Sequence, residues 1–481
     1  MSNFSELLSQ LIRGREANVS QLARTCGIHP PTLHQYMNGK RAMHNEDELE
    51  RLAAALQLSP SEYELLSESY AVLQLGPERA AERQKIKWLL QSLPEIERQC
   101  NAVAITPQFQ PYELSGSFAV LHTEGDVQAA LFALFSDALQ HDEELAVMLP
   151  PENDLLHNLY LLLGHFPSKS VIRHIFCMES GRCTGRITNI ERAYYVTQYS
   201  TSVARYVAKY YYGHPDEYFG ETNLLPGLIL SPRGALRISA DGRSAILCRD
   251  PEVIRCYFER FGRVEQLCRP LLSHQDTPIG IARQAERNCG DDRLRHAKLI
   301  SGGLCASAFW SDEIIHEYLN PQIPQYDDVL RALLNIFHMT RALKQSGRTT
   351  IILNRESVRS FAGSGRIPEY PDVFMVKPLS KAHRRYLLEG MLRACDEGWY
   401  QMIFLKNCVF PVKPHWDVGA LDGKQFAVSV VMGAINRELY FNERGLCRAF
   451  EDYFDDLVSG KYAMTPEETN AAIRRIIDEL L

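Results

Sequence analysis

The sequence predicts an α plus α/β protein: an all-α N-terminal domain followed by a large α/β region made of two similar halves. Three observations carry this. Residues 19–41, VSQLARTCGIHPPTLHQYMNGKR, hold two short amphipathic helices around a glycine corner. From about residue 127 onward, helical periods alternate with short, strongly apolar strands, the pattern of a sheet covered on both faces. The order of those elements then occurs twice, as expected of an internal structural repeat. At 481 residues the chain is too long for one hydrophobic core and implies roughly three domains. The boundaries read as 1–75 for the helical domain, 76–100 for a helical connector, 101–275 for the first half and 276–481 for the second half with a C-terminal helix.

In the N-terminal domain, Ala23, next to Leu22, lies four residues before Gly27, which takes the positive φ that turns one helix sharply into the next. Pro30 and Pro31, with fixed φ and no N–H, suit the first positions of the following helix. Leu33 and Tyr36 face back onto Leu22, Ala23 and Ile28, and Asn38-Gly39 stops the helix. This is helix-turn-helix geometry. LERLAAALQLSPSEYELL (49–66) supplies two closing helices broken at Ser59-Pro60.

Over roughly residues 4–68 the chain resembles the XRE/Cro family of bacterial and phage DNA-binding domains. The likeness is carried by Asn18 as N-cap and by Leu22, Ala23, Gly27, Ile28, Thr32, Leu33, Asn38, Gly39 and Arg41. It implies a sequence-specific transcriptional regulator that binds double-stranded DNA. By position, Thr32, His34 and Gln35 would meet the groove, and Arg24, Lys40 and Arg41 the phosphates. The chain departs from the family at Val19, where a phosphate-contacting Gln is usual, and at Pro30 and Pro31, where polar readers are usual.

Charge agrees with a small footprint. Residues 1–45 carry Arg13, Arg15, Arg24, Lys40 and Arg41 against Glu6 and Glu16, whereas Glu46, Asp47, Glu48 and Glu50 reverse the sign. The net charge of −7 excludes nucleic acid wrapped over the whole surface. No apolar run is long enough to span a membrane, and the N-terminus lacks the charged-then-apolar order of a signal peptide, which points to a cytoplasmic protein. The 12 cysteines are scattered without a CxxC pair, so buried reduced thiols are expected, Cys256 and Cys447 among them, and no metal or other cofactor.

The connector PERAAERQKIKWLLQSLPEIERQ (77–99) has an apolar stripe of Ile86, Leu89, Leu90 and Leu93. The first half reads as helix 127–140, strand 144–150, helix 154–166, strand 170–178, one long aromatic helix 189–212, strands 227–232, 235–240 and 244–249, and a helix 250–267 capped by Asp250. The second reads as helix 327–345, strand 349–354, helix 356–363, strand 373–378, helix 380–398, strands 400–406, 426–433 and 438–442, and a helix opened by Asn442. Residues 270–326 would bridge the halves. The helix 465–481, with Ile473, Ile476, Ile477 and Leu480, would be a lid or a dimer element, and the connector stripe is the other expected surface for a homodimer.

The meander followed by a capped helix resembles the sensor halves of phospholipase-D-like folds, which occur in some transcription regulators without catalytic residues. That chemistry needs His, Lys and Asp at fixed spacing twice. His296-Ala297-Lys298 matches once, with Gly303 where the Asp belongs. GSGRIPEY (363–370) follows a polar helix and not a strand, so it reads as a loop and not a phosphate cradle. His415 and Asp417 flank Trp416 and read as part of a turn before they read as a catalytic pair. The reading is therefore a regulator with no catalytic residues, a small-molecule or peptide signal acting on the α/β region, and a homodimer matched to paired half-sites. The alternatives are a degenerate phosphodiesterase-like enzyme carrying the helix-turn-helix, and an assembly or defence protein that uses it for protein contacts.

Overall fold

The computed structural model describes residues 3–101, 116–163, 168–180, 188–201, 205–214, 224–290, 296–304, 306–342, 347–368, 370, 373–406, 412–432, 435–459 and 462–481. The chain divides into two compact units, Met1–Lys85 and Ile86–Leu481.

The first unit contains α1 (Asn3–Gly14), α2 (Val19–Thr25), α3 (Pro30–Met37), α4 (Glu46–Ala55) and α5 (Pro60–Leu75). Local chemistry sets their ends. The Asn18 side chain accepts from the amides of Ser20 and Gln21 at 3.0 and 3.1 Å, satisfying two orphan donors of α2. Ser59 and Glu62 form a reciprocal capping box ahead of α5, with Pro60 in its first turn. Leu8, Leu22, Ile28, Leu33, Leu49, Leu52 and Leu66 share one buried core.

Helix α6 (Pro77–Asn101) runs across the division between the units. Its stripe of Ile86, Leu89, Leu90 and Leu93 is buried in the core of the second unit. The C-terminal helix α17 (Pro466–Leu480) likewise buries Ile473, Ile476 and Ile477 in that unit, with Leu480 half-buried beside them. Both stripes expected to pair two subunits are therefore spent within the chain.

The second unit holds two sheets. The first is formed by β1 (Phe118–Leu121), β2 (Leu145–Met148), β3 (Val171–Met178), β4 (Arg205–Tyr212), β5 (Gly227–Ser231), β6 (Gly234–Ile238), β7 (Ala245–Cys248) and β8 (Arg269–Pro270), in the order β1-β7-β6-β5-β2-β3-β4-β8. Helices α7 (Glu124–Gln140), α8 (Asp154–Leu163) and α9 (Asn189–Thr201) come before the meander, and α10 (Pro251–Leu267) closes it. The second sheet is formed by β9 (Leu272–Gln275), β10 (Lys298–Ser301), β11 (Thr349–Leu353), β12 (Tyr400–Phe404), β13 (Trp416–Leu421), β14 (Gln425–Met432) and β15 (Ile435–Phe441), in the order β12-β11-β10-β13-β14-β15-β9. Its helices are α11 (Pro278–Gly290), α12 (Asp312–Tyr318), α13 (Tyr326–Ala342), α14 (Arg355–Ser364), α15 (Lys381–Asp396) and the closing α16 (Arg444–Leu457).

The two orders match strand for strand apart from β8, which pairs antiparallel with β4 at the edge of the first sheet and has no counterpart among the described residues of the second. Each sheet has three parallel strands, then an antiparallel three-strand meander, then one strand antiparallel to the last, with a capped helix after the meander. The repeat is real, but it begins earlier in the second half than the sequence predicts. β10 is the counterpart of β2 and lies inside the segment read as a bridge. The chain passes between sheets at Leu271, whose N–H donates to Ala208 and whose carbonyl accepts from Asn442.

Four further expectations are corrected. The long helix 189–212 stops at Thr201, and Arg205–Tyr212 pairs in parallel with β3 along its whole length, burying Tyr206, Ala208 and Tyr210 at period two. Residues 373–378 form no strand: Val373 and Val376 are exposed, and Met375 makes one isolated bridge to Leu319. The closing helix is capped by Glu443 and not by Asn442, so the match with Asp250 shifts by one residue. Cys447 is buried as expected, but Cys256 is exposed.

Candidate functional site

In the first unit, Gly27 sits at φ +65° in the corner between α2 and α3, a conformation in which a Cβ is strained. The Arg51 guanidinium donates to the Cys26 carbonyl at 2.7 Å and fixes the same corner from α4. Leu33, Tyr36 and Met37 turn α3 inward, while His34 and Gln35 are exposed and Thr32 is half-exposed on its other side. Past Asn38, the amides of Lys40 and Arg41 donate to the Gln35 carbonyl at 2.9 and 3.3 Å, so these basic residues are held against the end of α3. Both are exposed, as is Arg24 in the last turn of α2. All six predicted contact residues thus belong to α2, α3 and the turn that follows. Arg15 is withdrawn from the basic set, because it pairs with Glu62 at 2.7 Å and, with the Ser59 amide and hydroxyl, pulls that carboxyl down to about 2.

The second unit contains a cavity of about 310 Å³ that the sequence did not reveal. One wall is the face of the second sheet turned away from α16. The other comes from α11, α12, α13 and the aromatic residues Trp310, Tyr370 and Trp399. Strand register builds the sheet wall. Ser301 of β10 lies opposite Asp417 of β13, Asp417 opposite Ser429 of β14, and Ser429 opposite Glu438 of β15. Glu438 in turn lies opposite Gln275 of β9, giving a polar row across five strands. The adjacent row reads Leu299, Gly419, Ala427 and Tyr440, with two small residues at its centre that leave room above the sheet.

Asp417 and Glu438 are deep in the protein yet keep accessible surface, because that surface is the cavity wall. The Gly302 amide donates to Asp417 Oδ1 at 3.1 Å. Gly302 fits there because a Cβ would lie 1.8 Å from the Lys413 carbonyl oxygen. Burial pushes the Asp417 carboxyl up to about 6 against the opposing bonds from Ser301 and Gly302. Burial also pushes Glu438 up to about 7, with the charge of Asp417 adding to the rise and the Tyr440 hydroxyl opposing it.

The other sequence candidates do not assemble. Lys298 points to the opposite face, where it pairs with Glu451 and with Asp455 at 2.9 Å on α16. His296 and His415 are exposed. GSGRIPEY starts in the last turn of α14, passes its left-handed C-cap Gly365 at φ +72°, and is a loop from there on where described. The tyrosines of 189–212 divide between core and sheet: Tyr160 stacks on Tyr199 at 3.9 Å, and the Tyr206 hydroxyl lies 2.6 Å from His174 Nδ1. Among the described residues no group of three or more His, Cys, Asp or Glu could hold a metal ion, and no helix is long and apolar enough to cross a membrane.

Residues 4–66 match the family described as "Helix-turn-helix domain". No curated protein sequence matches the chain. Among solved structures, similarity was found to phosphatidylserine synthase of Haemophilus influenzae Rd KW20, at 10% identity and TM-score 0.24 over 80% of this chain and 98% of that one. It was also found to polyphosphate kinase of Porphyromonas gingivalis, at 12% identity and TM-score 0.22 over 75% and 55%. A third is TrmBL2, an archaeal chromatin protein, at 9% identity and TM-score 0.20 over 43% and 59%. Likenesses of this size transfer no property of those proteins to this chain. The N-terminal unit is a helix-turn-helix domain, and the rest is a mixed α/β region with two similar sheets.

Proposed function

We propose that the chain is a cytoplasmic DNA-binding transcriptional regulator whose α/β region senses a signal and governs how two copies present their helix-turn-helix units. The observation that carries the reading is the α2–α3 corner, with Thr32, His34 and Gln35 on the outward side of α3 and Arg24, Lys40 and Arg41 beside it. On this reading α3 enters the major groove. Gln35, exposed on that side together with His34, reads base edges, and the three basic residues neutralise phosphates. The α/β region acts by binding and not by catalysis, a reading supported by Lys298, which is held in ion pairs with α16, and by Gly303, which offers no carboxylate. One helix-turn-helix unit buries little DNA, so specific affinity is expected from a homodimer on paired half-sites.

The test is fluorescence anisotropy of the full chain on DNA from its own upstream region, against a scrambled duplex of equal length. Preference for the upstream duplex supports the reading. Equal, weak binding to both would assign the helix-turn-helix to protein contacts.

A further inference from the structure

We infer that the cavity of the second half is a binding site for an organic ammonium ion: an amine whose nitrogen meets Asp417 and Glu438 and whose apolar body lies against the aromatic wall. The cavity, about 310 Å³, is at the lower end of the roughly 300–1,000 Å³ usual for small-molecule sites. Its described lining contains two carboxyls and no Lys, Arg or His. Neither carboxyl has a cation partner among the described residues: Asp417 is met by Ser301 and Gly302, and Glu438 by Tyr440. Two carboxyls on one face, with the single strand β14 between them, form an anionic floor that repels phosphate and carboxylate ligands and lacks a counter-ion among the described residues. Trp310, Tyr370 and Trp399 also line the cavity and supply aromatic surface that suits an ammonium ion and an apolar body. A hydrated inorganic cation is a poor fit, since it asks for about six oxygen ligands and most of this wall is apolar.

The internal repeat supplies an independent comparison. On the first sheet, the face turned away from its closing helix carries the cross-strand row Val147, Ile229, Leu236 and Leu247. Those side chains are buried in an apolar core. The same architecture thus forms with an apolar row in place of the carboxyls, so the fold does not require Asp417 and Glu438.

The ligand class rests on the sensing role proposed above, and its test does not depend on DNA. Isothermal titration calorimetry of the full chain at pH 8 with tryptamine, phenethylamine and isoamylamine is expected to show one binding site for at least one of them. The matching alcohol, tryptophol in the case of tryptamine, should bind at least tenfold more weakly. Glu438→Gln and Asp417→Asn keep the side-chain shape and should each weaken the amine at least tenfold, with unchanged circular dichroism and unfolding cooperativity. Equal affinity for amine and alcohol, unaltered affinity in both variants, or no binding of any of the three amines at millimolar concentration would overturn the assignment. Amine binding that leaves affinity for the upstream DNA unchanged would instead remove the sensing role and leave the site in place.

Discussion

Glu438 and Asp417 weigh against the stability of the unliganded fold, and this separates a binding role from a structural one. A carboxyl raised in the folded chain from its ordinary 4.5 to about 7 binds more protons folded than unfolded across that interval. Its favourable contribution is therefore complete below the ordinary carboxyl range and is lost as pH rises through about 7. The groups facing Glu438 are Asp417 across β14 and Tyr440 on its own strand, with Arg287 acting on Tyr440 from α11. Glu438→Gln should thus stabilise the unliganded protein at pH 8 by about 1–3 kcal/mol, since each tenfold change in proton affinity corresponds to about 1.36 kcal/mol, and leave it nearly unchanged at pH 4. Urea unfolding at the two pH values checks this, and a large destabilisation at pH 8 would make the carboxylate structural. In the first unit, Gln35 and Lys40 should separate in the same manner. Gln35→Ala is expected to reduce preference for the upstream duplex by about 1–3 kcal/mol, as for a lost base contact, whereas Lys40→Ala should weaken all duplexes alike. Anisotropy on matched and scrambled DNA distinguishes the two.

What was legible at the scale of the element was whatever local chemistry determines. Asn18, Gly27, the two prolines and the Asn38-Gly39 stop each carry a backbone reason for a helix to begin or end, and α2 and α3 lie where those residues place them. A Cβ added at Gly27 would meet only open space, so the requirement for glycine there is purely conformational. Gly27→Ala should therefore lower stability by about 1–2 kcal/mol, the strain of a left-handed residue with a side chain, without displacing any neighbour; thermal unfolding of the full chain measures it. Elements fixed by distant partners were not legible. RYVAKYYY continues the aromatic composition of α9 and becomes a strand because β3 offers a complete parallel ladder. KLIS has only two apolar residues and is a strand because β11 and β13 hold it from both sides. The acidic row depends wholly on such pairing: Asp417 and Glu438 are 21 positions apart in the chain and share a face only through the register of β13, β14 and β15. Within ELYFN, Glu438 has the look of a solvent-facing alternate position. Only the three-dimensional ladder turns it into a cavity.

At the scale of the whole molecule, affinity for DNA has to be reconciled with a net charge of −7. A chain of that sign is repelled by a duplex wherever its acidic surface approaches, so attraction must come from a small set of exposed cations and must weaken quickly with salt. Among residues 1–45, Arg15 is tied to Glu62, which leaves Arg13, Arg24, Lys40 and Arg41 exposed. Each phosphate neutralised contributes a slope of about −0.9 to the logarithm of affinity against the logarithm of salt concentration. The expectation is about −3 to −4 per bound helix-turn-helix unit. Two chains on paired half-sites would give about twice that figure. The slope therefore reports stoichiometry as well as electrostatics, and light scattering of the free chain fixes which value applies. The connector and C-terminal stripes are buried within one chain, so a dimer in solution must use other surfaces. A measured slope beyond about −10, or one unchanged by Arg24→Ala and Lys40→Ala together, would place the contact on some other part of the molecule.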